Sequence, residues 1–262
     1  MRGSVLVAVL AIVPEVMLAQ GLDLSRYRMI DLTQPFNAQT IYWPTSPTSF
    51  KLDRLASGKT PGGYFYSANA FASPEHGGTH LDAPIHFSEA GRTADIIPLS
   101  QLIAPAVVID ISARAATNQD YVLSLADVAR FERENGQIAP GSIVLLRTGW
   151  SRRWPNKRAY LGDDTPGNAS RLHFPSFGPH AVRLLIDRQV AALGVDAASI
   201  DNGASTDFQV HRMAAAVNVP GFENLTNLDR LPPKGAIVIA LPMKIQGGSG
   251  GPLRAVALVP LR

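Results

Sequence analysis

Residues 76–86 read His76-Gly77-Gly78-Thr79-His80-Leu81-Asp82-Ala83-Pro84-Ile85-His86, so three of the chain's six histidines fall within eleven residues, with an aspartate among them. A neutral imidazole offers a lone pair and a carboxylate offers charge, a combination that suits Zn²⁺, Mn²⁺ or Fe²⁺. The Gly77-Gly78 pair argues against a helix and for a bend that returns His76 toward His80. From His80 onward, an extended chain sets His80, Asp82 and His86 on one face, because strand side chains alternate. A lone histidine is usually a hydrogen-bonded core or loop residue. A cluster of this density points to a cation, and a cation makes water a usable nucleophile by lowering its pKa from 15.7 to about 7.

One segment rarely closes a coordination shell, so further donors are expected elsewhere. His173 and His180 read as surface residues, the first in a polar stretch and the second on a helix. His211 is the stronger candidate. Glu223 follows it in Gly221-Phe222-Glu223-Asn224-Leu225, and an acidic group among apolar residues is costly to bury unless a cation pairs with it. Rival chemistries fail. A serine nucleophile is not expected: the one Gly-X-Ser-X-Gly string, Gly247–Gly251, precedes Pro252 and not the helix that a nucleophile elbow needs. The stretch Gly247-Gly248-Ser249-Gly250-Gly251 lacks the Lys-Ser/Thr ending of a phosphate loop and runs into Pro252. Asn168-Ala169-Ser170 and Asn224-Leu225-Thr226 are glycosylation triplets by pattern only, and a glycan on the second would obstruct a site at Glu223.

Short apolar runs at 107–109, 143–146, 237–239 and 256–259, each bounded by Pro, Gly or Ser, read as strands buried on both faces. Ser124 caps a helix with Asp127 in its first turn, stapled by Leu123 and Val128 and ended by Gly136. A second helix runs from about Pro179 to Gln189, with an apolar stripe of Ala181, Val182, Leu185 and Ile186. Strands and helices mix, so the class is α/β in a single domain, and chain order leaves parallel, mixed and barrel-like sheets open. Residues 151–175 are rich in turn-formers and read as a long loop, either a lid or a mobile segment.

The 262 residues include no cysteine, 46% are hydrophobic, and 24 basic residues face 21 acidic ones. This describes a packed globular chain rather than a disulfide-stapled or disordered one. A net charge of +3 argues for neither nucleic acid nor an anionic membrane as partner. The start, Met1-Arg2-Gly3 with an apolar run from Ser4 to Val13 and then Met17-Leu18-Ala19-Gln20, reads as a secretory signal over 1–19, too short to span a bilayer. Residues 20–262 then form the working domain. Export to the periplasm or medium is expected, with a cytoplasmic location as the alternative.

The string His-X-Gly-Thr-His-X-Asp-X-Pro-X-His resembles the signature of the metal-dependent cyclase family, which includes bacterial kynurenine formamidase and isatin hydrolase. The resemblance extends over nearly the whole chain after residue 20. It takes in Ile30-Asp31-Leu32-Thr33, Trp43-Pro44, Gly194-Val195-Asp196, Ser199-Ile200-Asp201, His211, Glu223, Leu241-Pro242-Met243-Lys244 and the glycine-rich stretch before Pro252.

The resemblance implies a mixed sheet core flanked by helices, a swivelling β/β/α-like fold, and a cofactor of one or two divalent ions, Zn²⁺ or Mn²⁺. His76, His80 and Asp82 would hold one metal. Asp82 would reach a second, bound by His211 and Glu223. His86 would carry the proton, and Trp43 would contact the substrate ring. The implied reaction is hydrolysis of a small aryl amide. N-formylkynurenine is the default substrate, and opening of a cyclic amide or lactone such as isatin is the alternative. A homodimer is implied as well. A module that binds metal or ligand without turnover is the reading from another class, and it leaves His86 without a purpose. The chain is longer than compact formamidases, which bears on the substrate and not on the metal donors.

Overall fold

The four apolar runs all become strands of one sheet. The computed structural model describes residues 23–261. Its strands, in chain order, are β1 (Tyr27–Asp31), β2 (Lys51–Lys59), β3 (Phe65–Ala72), β4 (His80–Asp82), β5 (Ile103–Asp110), β6 (Val122–Leu123), β7 (Ile143–Arg147), β8 (Ser176–Phe177), β9 (Ala192–Val195), β10 (Gly221–Glu223), β11 (Lys234–Pro242) and β12 (Gly250–Pro260). The helices are α1 (Leu99–Leu102), α2 (Ser112–Ala115), α3 (Leu125–Asn135), α4 (Lys157–Leu161), α5 (Pro179–Asp187) and α6 (Gln209–Ala216).

The main sheet has eight strands in the order β1-β12-β11-β5-β7-β9-β10-β4, and β4 pairs back onto β12. That last pairing closes the sheet into a barrel. It is mixed: β5, β7, β9 and β10 run parallel, and the rest are antiparallel. Chain order alone left parallel, mixed and barrel forms open, because closure depends on pairing between segments distant in sequence.

Alternation along the strands divides the core in two. Val107, Ile109, Val144, Leu146, Leu193 and Val195 face the helices and pack with Val128, Phe131, Val182 and Leu185. Ala104, Ala106, Val108, Ile143, Leu145, Ala236, Ala240, Ala255 and Ala257 form the other cluster, on the enclosed face. The alanines leave room in the interior of a small barrel, which side chains just fill, for Leu81, Leu145 and Phe222.

Helix α3 starts and stops where its sequence says. Ser124 Oγ accepts from the Asp127 amide at 3.2 Å, Asp127 Oδ2 accepts from the Ser124 amide at 3.0 Å, and Gly136 ends it at φ 77°. Leu123 and Val128 are both buried. Helix α5 stops at Asp187, two residues early, and Gln189 takes a left-handed turn at φ 57°. The expected loop at 151–175 is instead packed structure. It contains α4 and buries Tyr160, Leu161, Leu172 and Phe174, so its few apolar residues outweigh the turn-formers around them. Strands β2 and β3 form a separate antiparallel ribbon with Leu52, Leu55, Phe65, Tyr66 and Phe71 exposed. No helix of the described residues is long and apolar enough to cross a membrane.

Candidate active site

Strand β4 is three residues long and wholly buried, and it fills the seam of the barrel. On one side Glu223 of β10 lies opposite His80; on the other Pro252 of β12 does. Residues directly opposite share a face, so His80, Asp82 and Glu223 project together while Leu81 and Phe222 enter the core. His211 arrives from α6. Its backbone N–H and that of Val210 donate to Asp201 at 2.9 Å each.

The expected hinge exists. Gly78 has φ 59° and Gly77 φ 143°, and a Cβ on Gly77 would sit 2.1 Å from the Tyr42 ring. The bend delivers His76 to Asp82, with Nδ1 2.6 Å from Oδ1. The extended path from His80 ends at Asp82, however. Pro84–His86 is a 3-10 turn, because Pro84 fixes its own φ and offers no ladder donor. His86 reaches the site by that turn, with its ring 3.8 Å from the His76 ring and tilted 16° to it.

Two donor groups result: His76, His80 and Asp82, and Asp82, His211 and Glu223, each with its ligand atoms within 4.8 Å of one another. Asp82 belongs to both. His80 Nε2 lies 3.1 Å from Asp82 Oδ1, and His211 Nε2 lies 2.9 Å from Asp82 Oδ2 and 3.2 Å from Glu223 Oε1. The other nitrogen of each ring is already engaged: His80 Nδ1 with the Gly78 carbonyl, His211 Nδ1 with Asp201, His76 Nε2 with Ser249. Each ring therefore aims one nitrogen at the shared carboxylates, and outer partners of this kind orient metal-binding histidines.

The electrostatics fit a cation. Burial pushes His80 down, but Asp82 and Glu223 outweigh it and raise it to about 9. Burial also opposes the His211 cation, and Asp201, Asp82 and Glu223 hold that ring well above its ordinary value. Asp82 is pushed up by burial and pulled well below the usual range by the histidines. Glu223 is raised by burial and by the charge on Asp82. With protein groups alone, protons on the rings balance the two carboxylates; a divalent cation satisfies those carboxylates and takes up the freed nitrogens. His86 behaves differently. Burial and the three nearby imidazole rings push it down to about 4, against the pull of Asp82, so it is a neutral base at pH 7.

The cluster floors a cavity of about 360 Å³ whose walls include Tyr42, Trp43, Pro74, Phe87, Leu161, Phe208 and Asn224. Trp43 stands edge-on to Phe174 at 6.3 Å and lies 6.2 Å from Phe208. No lysine or arginine is among the described lining residues. All seven residues singled out from the sequence thus line one cavity. His173 pairs with Asp120 and His180 is exposed, both outside it. Phe87, Phe208 and Asn224 were not anticipated. Asn224 is buried, accepting from Tyr160 and donating to the Gly78 carbonyl, so its glycosylation triplet is out of reach.

Comparison with known proteins gives a consistent picture. The Cyclase family model matches residues 30–202. The isatin hydrolase of Roseibium aggregatum is 36% identical over 206 residues, which are 76% of this chain and 77% of that protein. The kynurenine formamidase of Salinibacter ruber is 31% identical over 185 residues, 69% of this chain and 74% of its own. Among solved structures, an isatin hydrolase bound to the product analogue thioisatinate superposes with a TM-score of 0.83 at 31% identity, covering 90% of this chain and 94% of that one. Isatin hydrolase A from Ralstonia solanacearum gives 0.81 at 35% identity, covering 96% and 100%.

Proposed function

The chain belongs to the Cyclase family, and from that premise we propose that it is a metal-dependent hydrolase of small aromatic amides. His76, His80, Asp82, His211 and Glu223 would hold one or two divalent ions, Zn²⁺ or Mn²⁺, since His/Asp/Glu sets accept either. When bound, such an ion supplies Lewis acidity, polarising a carbonyl and acidifying water. The chain's own residues do the rest. Asp82 and Glu223 bring two negative charges, which would neutralise one divalent ion and leave positive potential for an oxyanion where two are held. Trp43, Phe87 and Phe208 wall off water and hold an aromatic ring. His86, neutral and unneeded as a ligand, accepts a proton from the attacking water and returns it to the departing nitrogen.

One observation carries this reading. His86 stacks directly on a donor of the first group yet belongs to neither group, which is where a proton carrier must stand. His86→Ala is expected to keep its metal and lose about 10²–10⁴ in turnover, checked by elemental analysis beside a spectrophotometric assay.

The lining favours a neutral substrate. N-formylkynurenine carries an amino-acid carboxylate, and the lining has no lysine or arginine to meet it. A cyclic aryl amide of the isatin kind fits better, in line with the 36% identity to an isatin hydrolase. The formamidase activity is the second reading, supported by the 31% identical kynurenine formamidase. Assay of the metal-loaded protein on isatin and N-formylkynurenine separates them, and full metal occupancy without turnover of either would favour a binding module.

The proposal extends to assembly and location. The exposed apolar residues of the β2–β3 ribbon support a homodimer, because a two-stranded ribbon is marginal alone; sedimentation would test it. Residues 1–19 lie outside the described residues. Their composition supports export and a hydrolase domain of residues 20–262, testable by N-terminal sequencing of protein from separated cell fractions.

A further inference from the structure

The glycine-rich stretch before Pro252, weak as a motif, meets the site through Ser249. Its Oγ lies 2.5 Å from Glu75 Oε2 and 2.8 Å from His76 Nε2, and its backbone N–H donates to the same carboxylate oxygen at 3.0 Å. A hydroxyl has one proton and an ionised carboxylate has none. The Ser249 proton therefore goes to Glu75, and Oγ must accept from an N–H at His76 Nε2. That leaves His76 Nδ1, 2.6 Å from Asp82 Oδ1, as the nitrogen that faces the shared carboxylate and whose lone pair would go to a metal.

We propose that Glu75 and Ser249 are a positioning pair that fixes the tautomer and the angle of the His76 ring. The inference rests on the reading of His76 as a metal ligand. His76 is the donor that most needs such help: its side chain is 26% exposed, against 3% for His80 and 6% for His211. The other two rings are buried and held by the Gly78 carbonyl and by Asp201. This one also carries His86 on its face, so its angle sets the proton carrier as well.

The backbone is shaped to the pair. The Gly248 and Ser249 carbonyls accept from the amides of Ala94 and Ala83, both at 2.9 Å. A Cβ at Gly250 would lie 2.7 Å from His76 Cε1 and 2.4 Å from the Leu81 carbonyl oxygen, and one at Gly248 would lie 2.8 Å from Glu75 Oε1. Glycine on both sides of Ser249 is what lets ring and carboxylate approach it together.

The test uses Ser249→Ala and Glu75→Gln in the full chain, with two readouts. Zn²⁺ affinity, measured by competition with a chromophoric chelator, is expected to fall about 10–100-fold in Ser249→Ala, the usual effect of losing an outer partner. Nitrogen chemical shifts of His76 in metal-free protein should report Nε2–H in the wild type and a tautomer mixture in Ser249→Ala, with Glu75→Gln shifted the same way by less. Unchanged affinity in both variants, or a wild-type His76 with no proton on Nε2, would overturn the proposal. A wild type that binds no divalent ion would instead overturn the hydrolase reading, while the tautomer readout still judges the pair.

Discussion

The two donor groups share Asp82 but are built in opposite ways. His76, His80 and Asp82 come from seven consecutive residues, bent by two glycines and partly open to the cavity. Asp82, His211 and Glu223 are all buried, and His211 stands 129 positions from its carboxylate partner. The first group needs only a local turn. The second exists only once β4 has entered the seam between β10 and β12 and α6 has docked, so it is as secure as the barrel closure itself. Solvent exposure is the weakness of the one, and long-range assembly is the weakness of the other.

Asp82→Ala should break both groups at once and produce the largest effect. It removes the shared ligand and leaves His80 and His211 buried without that partner, a costly arrangement. Metal content is expected to drop below stoichiometry and turnover to fall by more than about 10³-fold, beyond the 10–100-fold range of an outer partner. Elemental analysis and initial rates check it. A metallated, active Asp82→Ala protein would dissolve the idea of a shared ligand.

Asp201→Asn sharpens the contrast, because it touches only the distant group. The carboxylate takes the His211 ring at 2.7 Å and two amides at the start of α6. An amide in its place keeps the shape and loses the charge that orients the ring. Affinity for one metal equivalent should fall about 10–100-fold, while the His76, His80 and Asp82 group keeps its own. Isothermal titration of two sites would show one weakened and one unchanged; equal weakening of both would mean the groups are not separable.

The same contrast explains what could be read from the sequence. The first group is legible because chemistry and spacing lie in one short string, and the bend is written in Gly77-Gly78. His211 and Glu223 are visible only as an odd histidine and an acid among apolar residues, and the resemblance was needed to join them. Phe87 and Phe208 carry no mark at all, since an aromatic wall looks like any core residue until the chain folds. Ser249 and Glu75 are 174 positions apart, and neither type in isolation suggests a histidine. Barrel closure is illegible for the same reason: a three-residue strand between two distant partners leaves no periodicity to count. Turn-formers misled at 151–175, where a few buried aromatics decide the packing.

Helix α3 is a control far from the cavity, encoded as locally as the first group but with no part in chemistry. Ser124→Ala removes the hydroxyl that accepts from the Asp127 amide and one donor to the Asp127 carboxylate. Losing such a cap costs about 1 kcal/mol, a fall of about 2–4 °C in Tm for a chain near this size. Acid should narrow the gap. Burial pushes the Asp127 carboxyl up, but bonds from Ser124 and Tyr121 and the nearby Arg114 charge outweigh it and hold it below its ordinary 3.8. A depressed carboxyl stabilises the fold fully above the unfolded value and loses that contribution as pH falls through the folded one. Wild type and Ser124→Ala should therefore differ most in Tm near neutrality and converge below about pH 4, with metal content and turnover equal throughout. A change in metal content would mean that the locally encoded helix and the site are coupled, and that the two ways of building are not independent.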